Sequence, residues 1–177
     1  MEWFNEPPTW DDQGQTITVH TGPQSDFWRT THYGFIRDSG HFYYRPVAGD
    51  FTAEVELQGH YQDLYDQAGL MVRQDAHTWM KCGIEFVEGV QQASAVVTRE
   101  YSDWSVAPLA ANPPAIRLRV VRRGGALEVS YSFDGAAYTL LRLAYLAEGP
   151  LQVGPMCASP EGAGFDVTFV GFTVRDE

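Results

Sequence analysis

The chain is poor in the residues that metal and redox chemistry need. It has two cysteines, Cys82 and Cys157, among 177 residues. They form no C-x-x-C pair, which excludes a zinc knuckle and a dithiol redox motif. Cys82 falls on the apolar side of its local pattern, so a buried free thiol is expected there. The five histidines, His20, His32, His41, His60 and His77, show no H-x-x-x-H spacing, and no zinc site is expected. Calcium stays open, because its oxygen ligands come from loops and leave weaker signatures. Neither a glycine-rich phosphate loop nor a nucleophile elbow is present, and no cofactor is expected. Positive charge is short as well: 12 Lys and Arg stand against 23 Asp and Glu, a net charge of −11. That balance excludes the phosphate backbone of a nucleic acid as partner and disfavours an anionic membrane surface. No apolar run is long enough to read as a membrane-spanning helix. The opening MEWFNEPPTW lacks the basic segment, apolar run and cleavage site of a signal peptide, and the expected location is the cytoplasm.

What the chain does have is apolar and aromatic residues in short alternating runs. Its length suits one domain over residues 1–177, with a core that needs no covalent staples. The stretch from Asp63 to Ser105 carries three such runs. In Tyr65–Arg73, Ala68, Leu70 and Val72 share one side, while Tyr65, Gln67, Met71 and Arg73 share the other. In Trp79–Val87, Cys82, Ile84 and Phe86 oppose Trp79, Lys81 and Glu85. Side chains alternate across a strand, so each run presents a core face and a face of polar and aromatic groups. Ser94–Tyr101 is the third strand, and Ser102–Ser105 reads as a polar corner around Trp104.

Similar patterns fill the rest. Gln15–Thr21, His41–Arg45 and Phe51–Leu57 read as strands before the central stretch. SDFWRTTHYGF reads as a loop with one short strand. After a loop over Val106–Pro114 come Ala115–Val121, Leu127–Phe133, Tyr138–Leu143, Leu151–Met156 and Phe165–Val174. Asp134-Gly135 marks a hairpin, since both residue types tolerate positive φ. The last run changes phase near Gly171, the mark of a bulge. About a dozen strands without a long helix predict an all-β, two-sheet antiparallel sandwich.

The strings DFWRTTHYGF, YDQAGLMVR, WMKCGIEF, VVTREYSDWS and YSFDG carry a resemblance, from about Trp3 to Val174. Together they resemble the family of domains of unknown function that includes the yeast regulation-of-enolase protein. That group is similar to the concanavalin A-like lectin/glucanase superfamily and to the C-terminal sandwich domain of some β-xylosidases. The resemblance implies a curved jelly roll whose concave sheet holds ligands. It transfers no catalytic residues. Glucanases of this fold carry an E-x-D-x-x-E-like string, which is absent here.

A concave face carrying Gln67, Trp79, Lys81, Glu85, Thr98 and Arg119, rimmed by Trp28, His41 and Trp104, is the expected ligand-binding surface. Indole faces stack on the C–H surface of a sugar, and planar polar groups take its hydroxyls. Lys81 and Glu85 are ~13 Å apart along their strand, at ~3.3 Å per residue. Each is therefore expected to meet Gln67 or Thr98 on a neighbour rather than each other. For hydrolysis the carboxyl candidates are Asp26, Asp66, Glu85 and Asp103, with Glu85 first. Arg117, Arg119, Arg122 and Arg123 form a local basic strip, expected to pair with the protein's own acids, Glu85, Asp103 or Glu128. Three functions stay open: a non-catalytic module for carbohydrate or another polyhydroxylated molecule, a glycoside hydrolase using Glu85, and a protein-interaction module regulating a metabolic enzyme.

Overall fold

Alternation becomes strand after strand. The structure, a computed structural model, describes residues 1–176. In chain order the strands are β1 (Glu2–Phe4), β2 (Thr9–Asp12), β3 (Thr16–His20), β4 (Phe27–Arg29), β5 (Ile36–Asp38), β6 (His41–Val47), β7 (Phe51–Gly59) and β8 (Gln67–Arg73). Then follow β9 (Thr78–Val87), β10 (Val90–Arg99), β11 (Tyr101–Pro108), β12 (Ile116–Arg123), β13 (Ala126–Ser132), β14 (Thr139–Tyr145), β15 (Leu151–Ala158) and β16 (Asp166–Asp176). One antiparallel sheet has the order β1-β6-β15-β8-β9-β10-β11, and the other β14-β13-β12-β7-β16-β3-β2. The third, β4-β5, is a hairpin outside both.

The two seven-stranded sheets face each other across one apolar core. Phe51, Val55, Leu57, Leu118, Val120 and Phe169 meet Leu70, Val72, Met80, Ile84, Val97 and Val153 there. Strong alternation in Phe51–Leu57 follows from this, since one face of β7 meets the opposing sheet and Glu54 and Glu56 face outward. Both cysteines are buried and free. Burial pushes the Cys82 thiol up to about 12 and raises Cys157 as well.

Local signals held where geometry is local. Gly171 has φ 64, and the register of β16 on β7 shifts between Val170 and Thr173. Gly135 has φ 74, and Asp134 Oδ1 accepts hydrogen bonds from the amides of Ala136 and Ala137. The polar corner at Ser102–Ser105 is instead part of strand β11. Glu100, at φ 66, reverses the chain so tightly that Arg99 lies opposite Tyr101.

Beyond the sandwich, residues 22–40 form a strap over the outer face of the β8–β9–β10 sheet. Phe27 and Trp28 pack there on Phe42, Met71, Trp79, Val96 and Met156 in a second apolar cluster. Burying a side chain such as Phe27 contributes about 1.5–3 kcal/mol. Arg73 fixes the strap with two hydrogen bonds to Asp38, both 2.8 Å, and stacks 4.5 Å from the Phe4 ring. The amide of Arg29 donates to Ser102 Oγ at 2.9 Å. Asn5 Nδ2 donates to the Asp38 carbonyl at 2.8 Å. The sheet face expected to be open is therefore partly the floor of a second core.

Candidate functional site

Where the strap ends, a pocket remains. Asp26, Gln67, Lys81 and Glu85 form its polar floor. Gln67 and Glu85 are register partners on β8 and β9, and Lys81 stands four residues earlier on the same face of β9. Lys81 is the one lysine in the sequence, yet it is 3% exposed. Its Nζ donates to the Phe27 carbonyl at 2.7 Å and to Gln67 Oε1 at 2.5 Å, and lies 3.6 Å from Asp26 Oδ1. Asp26 Oδ1 also accepts from the Phe27 amide at 2.8 Å. A buried cation needs this full set of acceptors, because desolvation is costly otherwise.

Glu85 is 8% exposed. Its Oε2 accepts from Ser94 Oγ at 2.7 Å and from Trp104 Nε1 at 2.8 Å. Burial pushes its carboxyl above the ordinary value near 4.5, against the opposing pull of Lys81 and these two donors. The raised pKa favours folding below the ordinary carboxylate range, and that contribution is lost as pH rises through the folded value. Glu85→Gln removes this loss. Urea midpoints followed upward from pH 4.5 should fall less steeply in the variant than in the native chain. Parallel profiles would rule out a raised Glu85.

Aromatic rings wall the pocket. Trp28, Tyr33 and Phe35 come from the strap, Tyr65 and Trp104 from the sheet side. Trp28 and Tyr33 meet edge to face at 5.6 Å, Tyr33 stacks on Phe35 at 5.4 Å, and Tyr65 meets Trp104 edge to face at 6.2 Å. The hydroxyls of Tyr33 and Tyr65, 3.0 Å apart, join the two walls. That bond is the main cause that pushes the Tyr65 hydroxyl up to about 12. Thr30, Tyr65 and Glu100, on segments around the pocket, hold φ between 60 and 68. Such backbone is costly outside glycine and clusters at binding sites.

The expected set is divided by the fold. Gln67, Lys81, Glu85, Trp28 and Trp104 come together at the pocket. Trp79 is 1% exposed and packs edge to face on Phe27, 6.2 Å away, beneath the strap. Thr98 is buried with its hydroxyl 2.8 Å from Ser102 Oγ. His41 is buried, its Nδ1 2.8 Å from the Asn5 carbonyl and its Nε2 accepting from the Gly22 amide. Burial lowers its pKa. Arg119 is on β12, in the other sheet, where it pairs with Glu54 at 2.7 Å and stacks on Tyr138. Its neighbour Arg117 pairs with Glu56 at 2.9 Å. Two arginines of the basic strip are thus neutralised from within, but by Glu54 and Glu56 of β7 rather than Glu85, Asp103 or Glu128, while Arg122 donates to the carbonyls of Gly124 and Gly149.

Of the carboxyl candidates, Asp26 and Glu85 share the pocket. Asp66 is fully buried and accepts from Ser159 Oγ and the amides of Gln62 and Asp63. Asp103 lies in a separate groove behind Trp104. Tyr33, Phe35, Pro160 and Glu161 are pocket residues that sequence reasoning did not select. A lone lysine set in an apolar run was the signal available for Lys81. Among the described residues, no group of three His, Cys, Asp or Glu is placed to hold a metal ion.

Regulation of enolase protein 1 of Saccharomyces cerevisiae is 43% identical over 168 residues, covering 94% of this chain and 85% of its own. A crystal structure of a functionally unknown protein from Saccharomyces cerevisiae superposes with a TM-score of 0.96 at 41% identity, over 99% of this chain and 96% of that one. Two more distant structures share the fold. A xylan β-1,4-xylosidase from Bacillus halodurans gives a TM-score of 0.71 at 13% identity, over 98% of this chain but 40% of the enzyme. The carbohydrate binding module CBM66 from Bacillus subtilis gives 0.60 at 15% identity, over 98% and 95%. Residues 3–177 match the family described as "Protein of unknown function (DUF1349)", and the chain belongs to that family.

Proposed function

We propose that the protein binds carbohydrate, or a related polyhydroxylated small molecule, in the pocket between strap and sheet. One observation carries this reading: four polar groups, Asp26, Gln67, Lys81 and Glu85, converge under a ring of five aromatic side chains. Planar amide and carboxyl groups suit hydroxyls, and the rings suit the apolar faces of a sugar. Sandwiches of this shape include a carbohydrate binding module and a part of a xylosidase, which fits the reading without assigning a ligand. Binding is favoured over hydrolysis because the two buried pocket carboxyls are engaged within the protein, Asp26 by Lys81 and Glu85 by Ser94 and Trp104, and the third, the exposed Glu161, lies 3.7 Å from Arg37.

A second reading, a protein partner, has its own observation. Edge strand β14 exposes Leu140, Leu143 and Tyr145, with Phe133 beside them, each about 60% exposed. Such a surface suits association, and the 43% identical relative is named for regulation of enolase.

A glycan array probed with native protein and with Gln67→Ala and Trp104→Ala tests the first reading. Native binding should weaken at least about tenfold in each variant, the loss of one or two well-placed contacts. Absence of glycan binding, together with measurable binding to purified enolase, would transfer the assignment to the β14 edge.

A further inference from the structure

Behind Trp104 the pocket adjoins a wider groove, about 530 Å³ against about 60 Å³ for the pocket itself. The two share Trp28, Tyr33 and Trp104 as walls. A ligand that enters the narrow pocket by one end has the groove for its remainder. One cation lines the groove, Arg142, and its orientation is built by the fold. β14 carries a bulge: Ser130 is paired with Leu140, but Val129 is paired with Arg142. Leu141 is the extra residue. Without it Leu141 would lie opposite Val129, whose side chain is in the core. The bulge therefore turns Arg142 inward, to the open side of the sandwich where edge strands β14 and β11 approach. There its Nη1 donates to Ser105 Oγ of β11 at 3.0 Å.

At least six of the eleven arginines of this acidic chain are paired with carboxylates, and Arg142 is not among them. Arg29, Arg37, Arg73, Arg117, Arg119 and Arg175 each lie against a carboxylate. Among the described residues Arg142 has no carboxylate partner, and its Nε is buried with no hydrogen-bond partner. A guanidinium stays charged and presents a planar fork that fits two oxygens of one anion. Asp103 shares the groove but is exposed to solvent, which screens it. Ser105 and Trp104 complete a wall of donor and apolar surface.

We infer that this groove is an oxyanion subsite, in which Arg142 holds a carboxylate or phosphate carried by the ligand whose polyol end occupies the pocket. This rests on the carbohydrate reading for the second half of the statement, while the anion site stands by itself. The ligand class is an acidic sugar, either a uronate or a phosphate ester.

The test uses the full chain, labelled so that the Arg142 Nε–H resonance is followed, with tryptophan fluorescence for affinity. The probes are inorganic phosphate, glucuronate, glucose 6-phosphate and glucose. Each of the three anions should move the resonance and glucose should not. Arg142→Gln should weaken the anions at least about tenfold, the loss of one charge-assisted forked contact. Arg142→Lys, which keeps the charge and loses the fork, should fall between, with unchanged unfolding midpoints in both variants. Gln67→Ala should leave phosphate affinity intact. The stronger of glucuronate and glucose 6-phosphate identifies the source of the anion. A resonance unmoved by all three anions, or affinities unchanged in Arg142→Gln, overturns the subsite. Phosphate bound at Arg142 with no sugar bound would instead keep the subsite and remove the carbohydrate reading.

Discussion

Gly69→Ala should destabilise the chain severely; that is the largest effect expected of a single methyl group in this chain. Gly69 on β8 lies opposite Gly83 on β9, at the centre of the sheet below the strap. A Cβ on Gly69 would lie 1.8 Å from the Cys82 carbonyl oxygen, and a Cβ on Gly83 would lie 2.0 Å from that of Ala68. These are backbone atoms in the middle of a seven-stranded sheet, so no rotamer change relieves the contact. Relief requires β8 and β9 to part, which breaks ladder hydrogen bonds and disturbs both apolar clusters. A cost above about 4 kcal/mol is expected, in the extreme tail for point substitutions. It consumes a large share of a typical stability of about 5–15 kcal/mol. Gly49→Ala is the control: it has positive φ but nothing within 4 Å of the added atom. Its cost should stay at about 1–2 kcal/mol. Urea unfolding followed by near-ultraviolet dichroism compares the two. Equal midpoints for Gly69→Ala and Gly49→Ala would refute the close approach of β8 and β9.

Lys81→Met is the second large effect, and its cause is electrostatic. The thioether fills the space of the stem but donates nothing. The Phe27 carbonyl and Gln67 Oε1 lose their donor, and Asp26, with its side chain 10% exposed, loses its cation. Removing one partner of a buried pair costs about 3–5 kcal/mol, mostly from the charge left behind. The carboxyl of Glu85 also climbs further, because Lys81 is the largest influence holding it down. Adding Asp26→Asn to Lys81→Met should recover part of the loss, so the double variant costs less than the sum of the singles. Strict additivity, or a cost below about 1 kcal/mol for Lys81→Met, would show that the ammonium is not what holds the pocket floor.

Particular residues show what the sequence could and could not disclose. Alternation in Phe51–Leu57, the turn at Asp134-Gly135 and the phase change at Gly171 are local, so each was legible. Gln67 beside Lys81 was legible too, because neighbouring strands with known faces restrict the partners. Arg119 was misplaced for a simple reason: alternation tells which side of its own strand a residue occupies, and says nothing about which sheet holds the strand. Trp79 was expected on an open face because its cover, Phe27, is 52 residues away and arrives through a hairpin that reads as a loop. Tyr33, Phe35 and Glu161 reach the pocket from turns, where no periodicity exists to follow. The inward turn of Arg142 depends on one extra residue in β14, which only the register reveals.

The strap has a consequence for the order of assembly. Its attachments are distant in sequence: the Arg29 amide reaches Ser102, 73 residues on, and the Ser159 amide reaches back to Ser25, across 134 residues. Loop closure of that span is unfavourable until the strands that carry the far partners are already in place. Residues 22–40 are made early by the ribosome but can complete these attachments only after β11 and β15 have joined their sheet. The pocket is thus complete only once those two strands are in place. It is also the part that local opening can expose while the sandwich beneath remains intact.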